Sequence, residues 1–204
     1  MDTTPLAREI TAALPGWVDD ELAPLPATAT DEGWMAVVNT LAARNPREGS
    51  GGPFAALVVE TATGALVSAG VNLVLSSGLS SLHAEVTALS LAQRRLGSWD
   101  LGAAGLPAHS LVVNWRPCAM CYGAVVWSGV TRLVVAGSGP ELEELTGFDE
   151  GPVREDWAEQ LQRRGIEVVS DVLREEALDV YRGYGEFVAG SGATVYNARG
   201  TAPA

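Results

Sequence analysis

Two short segments hold the residues best suited to chemistry in this chain. They are His-Ala-Glu at 83–85 and Pro-Cys-Ala-Met-Cys at 117–121, the latter containing both cysteines. Cysteines three residues apart at the start of a helix put their sulfurs on one side of its first turn. The positive end of the helix dipole, or a bound metal, favours their thiolates. His83 stands in the first turn of another predicted helix. If two such helix starts lie side by side at one edge of a sheet, His83 reaches both sulfurs. His83, Cys118 and Cys121 then offer three ligands to one Zn²⁺ per chain. A zinc with three protein ligands keeps its fourth position for water, the open arrangement of a catalytic site. Glu85 projects in a different direction from His83 and need not ligate. It is suited to exchange a proton beside the metal, where water has a pKa of about 7.

Other uses of a cysteine pair fit less well. A structural disulfide is disfavoured in a reducing cytosol. A redox pair calls for a thioredoxin-like unit, which this CxxC does not open. A closed structural zinc needs a fourth ligand, and His109, the one remaining histidine, falls at the far end of its strand from Cys118. A fold that binds without catalysing has no use for the glutamate retained at position 85.

The elements that must position these residues follow from hydrophobic periodicity. Residues 1–30 form an N-terminal arm, with a short helical stretch (LAREITAAL) and then a segment rich in Pro, Ala and Thr. Trp34, Val37, Val38 and Leu41 predict a helix over 31–45, with Asp31 as its cap. PREGSGGP breaks it. FAALVVE (54–60) and ALVSAGVN (65–72) read as a hairpin. Val86, Leu89, Ala92 and Leu96 predict the helix that follows His83. HSLVVNW (109–115), TRLVVAG (131–137) and GIEVVSD (165–171) read as strands. CAMCYGAVVWSG, REDWAEQLQRRG and the region 175–189 read as helices. This alternation predicts a three-layer α/β/α fold with a central five-stranded mixed sheet. The main domain covers 31–190, and a Gly- and Ala-rich tail covers 191–204.

The 204 residues suffice for one domain with extensions, and 47% of them are hydrophobic, enough for a sizeable core. No basic n-region with an apolar stretch opens the sequence, and no apolar run reaches bilayer length. A cytoplasmic protein without a membrane association is expected. The formal charge is −12, and every one of the 13 basic side chains is arginine. That balance argues against a nucleic-acid partner, whose phosphates call for basic patches.

H-A-E followed by P-C-x-x-C resembles the zinc nucleobase and nucleoside deaminases of the cytidine-deaminase superfamily, of which it is a known signature. The resemblance runs from about Trp34 to Tyr184 and is nearest to the guanine-deaminase branch. GGPFAALVV, HAEVTAL, PCAMCYGAVVW and GFDE (147–150) all match that branch in order. It implies a cytidine-deaminase-like fold, a small-molecule nucleobase or nucleoside substrate, and a homodimer. It further implies that Asn72 contacts the base and that Phe54 and the backbone amides of Ala84 and Cys118 border it. The acidic residue after Gly-Phe maps to Glu150, with Asp149 as the alternative, and serves as a second proton shuttle. Tyr196 is the candidate for a C-terminal aromatic that closes the partner's active site.

The chain departs from the branch at Arg116, where Glu commonly precedes Pro-Cys, and at Ala55, where Gly follows the Phe. Trp115 and Trp127 read as packing residues rather than substrate stackers. The implied reaction is hydrolytic deamination, with guanine giving xanthine and ammonia as the best match. Another aminopurine, a triazine, guanosine, cytosine or cytidine is the alternative substrate. A tRNA-adenosine-type deaminase and a non-catalytic zinc-stabilised module are the alternative functions.

Overall fold

A computed structural model describes residues 6–23 and 30–197. The Pro/Ala/Thr-rich part of the arm over 24–29 and the end of the tail, 198–204, lie outside the described residues, as do residues 1–5. The elements are α1 (Gly16–Leu22), α2 (Asp31–Arg44), β1 (Ala55–Glu60), β2 (Leu66–Val71), α3 (Val74–Ser77) and α4 (Ala84–Leu96). They continue with β3 (His109–Val113), α5 (Ala119–Ser128), β4 (Arg132–Val135), α6 (Glu141–Thr146), α7 (Trp157–Gln162), β5 (Glu167–Val169) and α8 (Arg174–Ser191).

The five strands form one mixed sheet in the order β2-β1-β3-β4-β5. The hairpin strand β1 is antiparallel to both β2 and β3, while β3, β4 and β5 run parallel. Alternation along β1 divides the core. Leu57 and Val59 join Met35, Val38 and Leu41 of α2 and Leu178 and Tyr181 of α8 on one face. Ala56 and Val58 join Ala88 and Leu89 of α4, Val125 of α5 and Leu161 of α7 on the other. Every β1 residue but Glu60 is buried, as expected for a strand covered on both faces. The three-layer α/β/α architecture and its five-stranded mixed sheet match the expectation from the sequence.

Gly70 sets how near α4 comes to the sheet. A Cβ at this position would collide with the backbone of Ala84 and Ala88 in the first turns of α4. The missing side chain lets the helix that follows His83 lie directly against β2.

Three local expectations differ from the structure. LAREITAAL is not helical: Leu6 and Ile10 are more than four-fifths exposed and find no surface to bury them. A helix this short is marginal without packing. The arm's helix instead starts after Pro15, where Val18 is fully buried beside α2. The cap of α2 is Thr30, whose hydroxyl accepts from the Gly33 amide, one residue before the expected Asp31. Trp115 packs as expected, whereas Trp127 is 81% exposed on the outer side of α5.

Candidate active site

His83 and Cys118 are the N-cap residues of α4 and α5, one position before the helix proper in each case. Both have extended backbones, which turns their side chains off the helix starts and toward each other. His83 Nδ1 lies 3.5 Å from Cys118 Sγ. One ligand atom from each of His83, Cys118 and Cys121 falls within 4.8 Å of the others. In a tetrahedral zinc site, bonds of about 2.1 Å to nitrogen and about 2.3 Å to sulfur put those donors about 3.6 Å apart. The donor set therefore fits zinc in identity, number and spacing. His109 is fully buried elsewhere, its Nδ1 2.9 Å from the Leu101 carbonyl, and takes no part in the cluster.

The cluster's own electrostatics suit a cation. A hydrogen bond from Cys121, reinforced by His83, pulls the Cys118 thiol down to about 4 against the cost of burial. The same bond, with burial, pushes Cys121 well above an ordinary thiol. These opposed shifts favour a thiolate at Cys118, and a dication would favour the second at Cys121.

A cavity of about 540 Å³ opens over this cluster. Phe54, His83, Glu85, Cys118, Asp149, Glu150 and Tyr196 all line it. Asn72, Ala84 and Cys121 are not in its lining and are buried behind it. Ala84 is the first residue of α4, where a backbone N–H has no intrahelical acceptor. Asn72 is tightly held. Its Oδ1 accepts from the amide of Val74, a lining residue, and its own carbonyl accepts from Asn45 Nδ2. Its Nδ2 is buried without a partner among the described residues, a donor left for something else to satisfy.

Glu85 and Glu150 are 7% and 8% exposed. Burial raises the Glu85 carboxyl, and the charge on Cys118 adds to the effect, opposed by His83. Burial also lifts Glu150 well above the carboxylate range, with Cys118 and Glu85 adding and Arg116 opposing. Both carboxyl groups therefore hold protons more tightly than free ones. Asp149 is exposed, so of the two acidic residues after Gly-Phe it is Glu150 that turns inward.

Several residues that frame the site were not legible as such in the sequence. Asn114, at the end of β3, accepts from the Ala55 amide and donates to the Pro53 carbonyl. It thereby joins the Phe54 segment to the strand leading into Cys118. Asn45 bonds the carbonyls of Gly52 and Asn72 together. Phe54, Phe148 and Tyr196 form one aromatic group, with ring centroids 5.2 Å and 4.8 Å from the central Phe148. Tyr196 lies over the chain's own cavity, its hydroxyl accepting from the Gly52 amide. Arg116 lines the cavity, and its Nε is buried without a partner among the described residues.

A layered α/β/α fold with a His-Cys-Cys cluster and a buried glutamate beside it defines the class of a metal-dependent hydrolytic deaminase. The family model of the cytidine and deoxycytidylate deaminase zinc-binding region matches residues 28–137, more than half of the chain, and the chain belongs to this family. Guanine deaminase of Bacillus subtilis (strain 168) is 32% identical over 136 residues, which is 67% of this chain and 82% of that protein. A solved structure of guanine deaminase from Nitrosomonas europaea is 42% identical, covering 88% of this chain and 97% of its own, with a TM-score of 0.81. Another solved structure, in complex with 2,6-diaminopurine, is 41% identical over 94% of this chain and 98% of its own, with a TM-score of 0.82. Among the described residues, no helix is long and apolar enough to cross a membrane.

Proposed function

We propose that this protein deaminates guanine to xanthine and ammonia, using one zinc ion per chain held by His83, Cys118 and Cys121. The observation that carries the reading is the pairing of that donor cluster with buried Glu85 in one cavity, in a chain about two-fifths identical to guanine deaminase over most of its length. When bound, zinc supplies Lewis-acid activation of water at neutral pH. Glu85 takes the water proton and delivers it to the ring nitrogen beside the carbon that bears the amino group. Glu150 helps return a proton to the departing amine. Burial of both carboxyl groups supports these roles, because it raises each above an ordinary carboxylate and so favours its holding a proton.

The base is oriented by Asn72 Nδ2, by the amides of Ala84 and Cys118, and by the faces of Phe54 and Tyr196. Asp149 borders the mouth. The unsatisfied Asn72 donor favours a substrate with acceptor atoms on its ring edge. The residues 31–190 act as the deaminase domain, with the arm and tail as extensions. We also infer a cytoplasmic homodimer. Exposed Met120 and Trp127 along α5 support a second copy as its partner. The test is ammonia release by zinc-loaded protein supplied with guanine, beside adenine, cytosine and guanosine. Turnover of guanine at the highest kcat/KM is expected. No ammonia from guanine, with zinc bound, would overturn the substrate assignment.

A further inference from the structure

After α8 the tail turns back over the cavity, and its described course ends in Tyr196 and Asn197. Asn197 Nδ2 donates to the Gly147 carbonyl at 2.8 Å, and its Oδ1 accepts from the Asp149 amide at 3.0 Å. These two bonds take hold of the Gly147–Phe148–Asp149 turn at both ends, immediately before Glu150. A side-chain amide presents a donor and an acceptor side by side, so the pair of bonds also fixes which way Asn197 faces. The turn belongs to no helix or strand. Its backbone therefore has no regular ladder to hold it, and its course depends on bonds of this kind. Downstream, the Ala119 amide of α5 donates to the Glu150 carbonyl at 3.0 Å, and the Glu150 amide donates to Glu143 Oε1 at 3.2 Å. Upstream, the Gly147 amide donates to the Glu143 carbonyl and the Phe148 amide to Thr146 Oγ1, both within the α6 end, and Asn197 adds the anchor from the tail. Its neighbour Tyr196 is packed on Phe148 and bonded to Gly52, which steadies the segment that carries it.

We propose that Asn197 is a positioning residue: its two-point clamp on the turn sets where the Glu150 carboxyl sits in the cavity. The proposal rests on the proton-shuttle role given to Glu150 above. It makes the tail part of the machinery through a bond network within this chain, beyond the aromatic contact of Tyr196. The test is a double-mutant cycle on the full zinc-loaded protein, reading kcat and KM for guanine. Asn197→Ala should lower kcat about tenfold or more, because a misplaced catalytic group costs rate steeply. KM should stay within about twofold, since the loss falls on the reacting state rather than on binding. Zinc content should be unchanged, and Tm should fall by only a few degrees, the cost of two lost hydrogen bonds. In a Glu150→Gln background, Asn197→Ala should cost nothing more, because residues that act as one unit are not additive. Asn197→Asp keeps the acceptor for Asp149 and loses the donor to Gly147, so its kcat should fall between the two. It also carries the same cycle if the alanine variant does not fold. Equal losses in both backgrounds, or an unchanged kcat, would overturn the positioning role alone. Full activity of Glu150→Gln would overturn the role of Glu150 and the proposal with it.

Discussion

His83 and Cys118, 35 residues apart, each cap the start of a helix and bring Nδ1 and Sγ to 3.5 Å. The contact exists because α4 and α5 pack together on the same face of the sheet, with Gly70 admitting α4 to close range. The donor cluster is thus a property of two helix starts, with Cys121 following one turn into the second.

Removing a ligand should remove the metal. Cys118→Ala and His83→Ala should each emerge from purification with zinc near background, while the chain stays folded by circular dichroism. Chelation of the wild-type protein should abolish ammonia release and lower Tm, and added zinc should restore both. Zinc at wild-type stoichiometry in Cys118→Ala would contradict the ligand assignment.

Glu85→Gln should separate binding from chemistry. The amide keeps the shape of the buried carboxyl but cannot carry the proton. Zinc content and guanine-analogue affinity should be preserved while kcat falls by about 10²–10⁴-fold, the usual range for a lost general base. Metal analysis together with steady-state kinetics checks it.

Gly51→Ala should act through Asn72. A Cβ at Gly51 would collide with Asn72 Oδ1 and crowd its backbone carbonyl at 2.6 Å. The carboxamide must then move, and its unpartnered Nδ2 moves with it. KM for guanine should rise about tenfold, the worth of one displaced hydrogen bond of about 1.4 kcal/mol. Zinc content should not change.

The ion pair between Asp31 and Arg132 should give a pH-dependent part of stability. Arg132 binds Asp31 through two bonds of 2.7 Å, tying the start of α2 to β4. The hydrogen bond to Arg132 holds the Asp31 carboxyl below its ordinary 3.8, against partial desolvation. Because the folded value is depressed, the contribution is present above the unfolded pKa and is lost as pH falls through the folded one. Asp31→Asn should cost about 1 kcal/mol at pH 7, as the pair is partly exposed. The difference from wild type should shrink below about pH 4 in denaturant titrations.

The elements and the donor set are legible in the amino-acid sequence alone. Strand and helix periods of two and 3.6 residues are local signals, so the hairpin, β3, β4, and α2, α4 and α8 are legible directly. The spacing Cys118-x-x-Cys121 is equally local, because one helical turn brings the two sulfurs to the same side. Tertiary structure decided what no period encodes. Whether Asp149 or Glu150 turns inward depends on an irregular turn held by Ala119, Glu143 and Asn197, residues remote from one another in the chain. Asn114 and Asn45 read as ordinary strand and helix ends until their amides are seen joining separate segments. Trp127 fits the apolar pattern of α5 yet faces outward, since burial depends on what the rest of the chain brings against a helix. Local spacing sets which atoms can act together within one turn, and only packing over long separations brings those turns to a common cavity.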